Sequence, residues 1–448
     1  MTAADRLSEL IKMPTVSAYE PKDEDDEVFA AFPDRLAALY PAAHGAMERR
    51  LVGDRGVVYT WQGADSRLEP ILGLAHYDVV PPGEEEAWDR PPFSGDIADG
   101  RIHGRGSLDD KSMLAGWMEA VDRLASRGFR PERTLVLAFG GDEETSGYRG
   151  AGSIASLFRE EGRRFAFVLD EGGAVATEQL SAFTDRPVAL IGCAEKGYLT
   201  LALNASGMSG HASAPPKRSA VGRLSAALAA LEANPARSRL VDVPIGMLQA
   251  LGHAVGGLKG FILTHPRLFR RVLLKNFAGS PSTAGMIRTT LAPTVIRGGE
   301  RDNVMPDKAV ARINLRILPG ETVESVTGRV RSIVASAVDG GVTVEHVEGS
   351  VFEPVPAGLS TGVYWDRLKN LAESIWPDVV VAPYLMTGTT DSRWYRDLSD
   401  SIFRFIPMEV GTEEMKCVHA PNESISVKAW ESAVEFLERL ISTGGSES

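Results

Sequence analysis

The chain has 448 residues, 44% hydrophobic and 24% charged, a globular mix that excludes a disordered, collagenous or disulfide-framed protein. Its formal net charge of −12 opposes phosphate backbones and anionic lipid, so neither nucleic acid nor membrane is the expected main partner. Two cysteines, Cys193 and Cys417, are too few for a disulfide frame or a thiolate zinc cluster and read as small buried hydrophobes.

The amino-terminal stretch carries Asp5, Arg6, Glu9 and Lys12 without an apolar core, and no apolar run is long enough to span a bilayer. A soluble, cytoplasmic protein is expected. Residues 4–13 read as a short helix ended by Pro14, and 34–40 as part of another. Strand–helix alternation follows. Residues 71–75 lack polar side chains, as a strand covered on both faces requires, and 110–126 has helical spacing in Met113, Leu114, Trp117, Met118 and Val121. A strand at 134–139, a helix at 151–161 and a strand at 165–169 complete a parallel α/β pattern.

The middle of the chain differs. Residues 197–205 alternate like a half-exposed strand, followed by a helix at 219–233, strands at 289–296 and 309–317, a helix at 323–337 and a strand at 342–347. That β-α-β-β-α-β order is ferredoxin-like. An extra block at about 235–285 interrupts it with two amphipathic helices. From 352 the α/β style returns: a helix at 362–375, strands at 379–381 and 402–405, and a last helix at 427–441. The expected organisation is an α/β catalytic domain of residues 1–195 and 352–448, with 196–351 inserted as a smaller α+β domain.

Each apolar strand of the first half runs into metal-ligand chemistry: His76-Tyr77-Asp78, Asp142-Glu143-Glu144 and Asp170-Glu171. Ligands in open parallel sheets bind beyond the carboxyl ends of strands, so these clusters should converge. Between them Gly104-Arg105-Gly106-Ser107-Leu108-Asp109-Asp110-Lys111 opens a helix. As a phosphate loop it lacks the Gly-Lys-Ser/Thr ending and carries two repelling aspartates. Histidine with carboxylate and no thiolate suits catalytic zinc, or cobalt or manganese. An excess of carboxylates favours two ions sharing an aspartate, an arrangement that activates water and polarises a carbonyl. Period-2 geometry lets Asp78 accept from the second ring nitrogen of His76. Of the adjacent Glu143 and Glu144, one can ligate while the other serves as a base.

These motifs, with His419 in His-Ala-Pro-Asn-Glu, resemble the di-zinc aminoacylase/carboxypeptidase superfamily. Trp88 to Gly95, Glu195-Lys196-Gly197, Ser209 to Pro216 and Thr390-Asp391-Ser392-Arg393 look like its carboxypeptidase S-like branch, which includes N-fatty-acyl-amino-acid synthase/hydrolases. Ser112 departs from the glycine common after the lysine. The resemblance implies a zinc-peptidase-like catalytic domain and an inserted lid or dimerisation domain. It also implies that Asp109 bridges two zinc ions, one held by His76 and Asp170, the other by Glu144 and His419. Glu143 would be the general base, Asp78 the orienter of His76, and His211 the oxyanion stabiliser, often across a dimer interface. Asn303 and Arg316, and less directly Arg393, would hold the substrate carboxylate. His44, His103, His253, His265 and His346 read as surface or packing residues.

The expected activity is hydrolysis of the amide bond of N-acyl amino acids, with dipeptides or short peptides as the alternative substrates. A non-catalytic metal- and amino-acid-binding protein is a remote third reading, since such a protein has no need of Glu143 or His211. A two-metal phosphoesterase would share the ligands but not Arg316. In the helical block, Ile245, Leu248, Leu251 and Val255 form one stripe and Leu268, Phe269, Val272, Leu273 and Phe277 another. Such stripes ordinarily pack a helix onto its own domain; a sharper expectation is that part of this surface lines a channel for a fatty-acyl chain.

Overall fold

The computed structural model describes residues 1–355 and 360–443. Its centre is an eight-stranded sheet whose order, by residues, is Glu48–Val52, Gly56–Trp61, Leu135–Gly140, Ile71–His76, Phe167–Ala176, Ile402–Val410, Val188–Glu195 and Val380–Met386. The four strands from Leu135–Gly140 to Ile402–Val410 pair in parallel, and an antiparallel hairpin closes one edge. Every residue of Ile71–His76 and of Leu135–Gly140 is buried, which is why these segments carry no alternation.

Both faces of the sheet are covered. Helices Lys111–Ser126 and Val427–Ser442 press Trp117, Trp430, Phe436 and Leu437 onto one face, joined by the amino-terminal helices Ala3–Ile11 and Asp26–Leu39. Helix Ala151–Glu160 packs Ile154, Ala155 and Phe158 onto the other. Gly73 marks how closely the first layer approaches: a Cβ there would stand 2.7 Å from the Trp117 indole.

A second, four-stranded antiparallel sheet has the order Thr290–Arg297, Lys308–Ile317, Gly197–Ser206, Val342–Phe352. Helices Ala220–Ala233 and Val323–Ala337 cover one of its faces, giving the ferredoxin-like arrangement that the alternation predicts.

Several segments differ from expectation. The hairpin Glu48–Val52 and Gly56–Trp61 and the strand Val188–Glu195 go unpredicted, the first because Glu48, Arg49 and Arg50 disguise an exposed edge. The block at 235–285 holds four helices rather than two: Asp242–Val255, Gly257–Thr264, Arg270–Phe277 and Pro281–Gly285. Its inner stripe of Leu248, Leu251, Leu263, Leu273 and Phe277 packs against Val188, Val380 and Ala382 at the edge of the large sheet, not against the ferredoxin-like core. Cys193 is buried as expected, whereas Cys417 is partly exposed. Among the described residues, no helix is long and apolar enough to cross a membrane.

Candidate metal centre

The carboxyl ends of the parallel strands deliver imidazole and acid to one place, as their apolar bodies require their polar ends to do. His76 ends its strand and is 1% exposed. Leu135–Gly140 leads through Asp142 into the 3₁₀ turn Glu143–Thr145, and Phe167–Ala176 carries Asp170 and Glu171. The loop before helix Lys111–Ser126 supplies Asp109, and the loop before Ser424–Ser426 supplies His419, held at a left-handed φ of 60°.

Asp109 stands between two imidazoles. One carboxylate oxygen lies 3.0 Å from His76 Nε2, the other 3.0 Å from His419 Nε2. Glu144 Oε1 is 3.1 Å from the same His419 nitrogen, and Glu171 Oε1 is 3.7 Å from His76 Nε2. Two groups thereby converge, His76 with Asp109 and Glu144, and His76 with Glu143 and Glu171, each with its ligand atoms within 4.8 Å of one another.

Asp78 is fully buried behind His76. Its main-chain carbonyl lies 3.0 Å from His76 Nδ1 and its carboxylate 3.3 Å, so the carbonyl is the nearer acceptor and the carboxylate supports it. The same carboxylate accepts the main-chain N–H groups of Glu143 and Glu144 at 3.0 and 3.1 Å, and the Ser17 hydroxyl at 2.7 Å. One aspartate therefore positions a histidine and the two glutamates together. Ser17 escapes sequence reading because its partner lies 61 residues away.

Asp170 and Glu171 divide differently from the expectation. The Asp170 carboxylate accepts the Ser392 N–H at 2.7 Å through one oxygen and the Glu171 N–H at 2.9 Å through the other. The acid brought to His76 is Glu171. The register explains it: opposite Ile402–Val410, Asp170 pairs with Arg404 and the next residue in register is Gly173, so a bulge at 171–172 breaks the alternation. Gly172 takes a φ of 136° there.

Glu423, four residues past His419, is completely buried. It accepts the Arg105 guanidinium at 2.6 Å and the N–H groups of Gly106, Leu108 and Asp109 at 3.1, 2.7 and 3.1 Å. This carboxylate clamps the His419 loop to the Asp109 loop. Nothing in its spacing marks it beyond its place in the His-Ala-Pro-Asn-Glu run.

A cleft of about 810 Å³ opens over these groups. Arg316 and Arg393 both line it. Arg316 stacks on Tyr198 at 4.5 Å, donates through Nε to Asn314, and leaves a buried Nη1 without a hydrogen-bond partner among the described residues. Arg393 donates to Glu143 at 3.2 Å and to the Thr390 carbonyl at 2.8 Å, so it braces the glutamate that sequence reading makes the base. Ala174, Ala176, Leu190, Tyr384, Met386 and Val410 are part of the cleft's apolar lining, which includes no described residue of the 235–285 block. His211 and Asn303 are not among the lining residues. They sit together on a small exposed ribbon, where Gly210–His211 pairs with Val304–Met305 and the Ala212 N–H donates to the Asn303 carbonyl at 3.1 Å. The other five histidines also stand outside the cleft.

Charge in the cleft is out of balance. Burial, opposed by Arg393, pushes the Glu143 carboxyl up to about 8. Burial together with Asp109 and Asp110 also raises Glu171 well above the usual carboxylate range. Burial would raise Asp109 too, but hydrogen bonds from His419 and His76 hold it far below the usual range. Those bonds to Asp109 and Glu144 push His419 up to about 10. Divalent cations fit this donor set: all nitrogen and carboxylate oxygen, no thiolate, with the ligand atoms of each group within 4.8 Å of one another.

A family model for Peptidase family M20/M25/M40 matches residues 73–443. The chain belongs to this family. It is accordingly a metal-dependent hydrolase acting on amide bonds. Among its relatives, the N-fatty-acyl-amino acid synthase/hydrolase PM20D1 of Homo sapiens is 35% identical, covering 98% of this chain and 86% of its own length. Carboxypeptidase S of Saccharomyces cerevisiae is 30% identical over 98% of this chain and 84% of its own. Of solved structures, a metallo-carboxypeptidase from Sulfolobus solfataricus superimposes with a TM-score of 0.73 over 99% of both chains at 18% identity. At that identity the likeness speaks to the fold.

Proposed function

We propose that this chain hydrolyses the amide bond of N-acyl amino acids, long-chain acyl groups included, using two zinc ions for which cobalt or manganese can substitute. The observation that carries it is the Asp109 carboxylate offered to two imidazoles, with Glu144 beside one and Glu171 beside the other. His76 and Glu171 would hold one ion and Glu144 and His419 the second, with an oxygen of Asp109 available to each; Glu171 stands where the sequence suggests Asp170. Ions held by these residues would acidify water and polarise the substrate carbonyl.

Glu143 removes the proton from the attacking water and delivers it to the departing amine; burial suits it to hold that proton near neutral pH. Arg393 fixes the base in place. Arg316, which lines the cleft, grips the carboxylate of the amino acid, where a guanidinium binds two oxygens at once. The wall from Ala174 to Val410 receives the acyl chain. The names of the relatives support both the acyl and the peptide reading.

We further propose that residues 196–351 form a unit inserted between 1–195 and 352–448, and that two chains pair through its exposed strand Thr290–Arg297. His211 would then serve the partner's cleft. Two unpaired cysteines suit a cytoplasmic, reducing location.

A panel of N-acetyl, N-oleoyl and dipeptide substrates, assayed with zinc, cobalt and manganese, tests the assignment. The expected order places N-oleoyl amino acids first. A preference for dipeptides makes the chain a peptidase, and a preference for N-acetyl substrates removes the lipid reading. Glu143→Gln should keep its metal and lose about 10²–10⁴-fold in turnover; unchanged turnover refutes the base.

A further inference from the structure

The net charge of the whole chain conceals a local reversal. Between residues 235 and 285 seven Lys or Arg side chains face a single acid, Asp242, in a protein whose balance is −12. The helices of this block already use one apolar stripe against the large sheet. They carry a second that the fold does not use: Leu258 is 77% exposed, Phe261 48%, Leu268 73% and Val272 55%. Leu258 and Phe261 lie one turn apart on Gly257–Thr264, and the Phe261 ring meets that of Phe269 at 6.0 Å, beside Leu268. Val272 lies on the next helix, Arg270–Phe277, just beyond the turn that bears Leu268. Around this stripe Arg267, Arg270, Arg271 and Lys275 are exposed, and none has an ion-pair partner among the described residues.

We propose that this face docks on an anionic lipid surface. Exposed leucine and phenylalanine among unpaired arginines are complementary to a surface with an apolar interior and a negative rim. A second copy of the same face would bring like charges together. The docking face is also one wall away from the chemistry, because Leu190 and Tyr384 pack against the block's inner stripe and line the cleft. A substrate with a long acyl chain partitions into the surface on which the enzyme would sit. The docking itself does not depend on the acyl reading.

The purified full-length chain should sediment with vesicles of phosphatidylserine and phosphatidylcholine in equal parts. Binding should fall steeply with salt and be at least about tenfold weaker on phosphatidylcholine alone. Arg267→Glu, Arg270→Glu and Arg271→Glu combined should weaken it at least about tenfold, as should Leu258→Ser with Leu268→Ser. Both variants should retain wild-type melting temperature and wild-type hydrolysis of a water-soluble N-acetyl amino acid. Equal binding to both vesicle types, no binding to either, or charge-reversed chain bound like wild type would overturn the proposal. So would a concentration-dependent self-association of the wild type that these variants abolish.

Discussion

Adjacent acids separate cleanly by what each oxygen touches. Asp170 satisfies two main-chain N–H groups and Glu171 faces an imidazole, although a carboxylate at either position would look equally like a ligand in the sequence. Glu171→Ala should therefore lower the metal content from two ions per chain toward one, measured by mass spectrometry after dialysis. Asp170→Asn should keep both ions at some cost in melting temperature, because its amide oxygen replaces only one of the two acceptors that Ser392 and Glu171 use. Full loss of an ion from Asp170→Asn alone would return the ligand to Asp170. Most of the site's chemistry is legible at this scale. His76, Asp109, Glu144 and His419 come together because apolar strands and glycine-bearing loops must place polar ends at one rim. Glu171 is not legible, since the bulge that turns it inward is a property of pairing with Ile402–Val410 rather than of its neighbours in sequence.

Between elements, the informative contacts run from loop to loop. Glu423 ties the backbone at 106–109 to the turn bearing His419 through charge-assisted bonds, each of which contributes about 1.5–3 kcal/mol. Glu423→Gln offers one accepting oxygen where the carboxylate has two, leaving at least one of these buried donors unpaired. Metal affinity should fall about 10–100-fold, as it does when the outer partners of metal ligands are changed. A competitive chelator titration reads this. A shift in melting temperature without weaker metal binding would make Glu423 a purely structural residue. The helical block shows the complementary difficulty. Its stripes at Leu248 and Leu273 are visible in sequence, but whether a stripe faces sheet, cleft or solvent depends on which edge the block covers, and Leu268 and Val272 prove to face outward.

At the scale of the molecule, the ferredoxin-like unit was readable from element order, and the large sheet from its apolar strands. What sequence could not place is the relation of His211 to a cleft. Its ribbon is exposed and absent from the lining of its own chain's cleft, and on the dimer proposed above the site would be completed by the other protomer. Co-expressed chains decide this. One carries Glu143→Gln with His211 intact, the other His211→Ala with Glu143 intact. In a twofold dimer each mixed pair then contains one site with both native groups, so an equal mixture should recover about a quarter of wild-type activity. Each variant alone should be nearly inactive. If His211 acts within its own chain, every site in the mixture lacks one of the two groups, and co-expression recovers nothing.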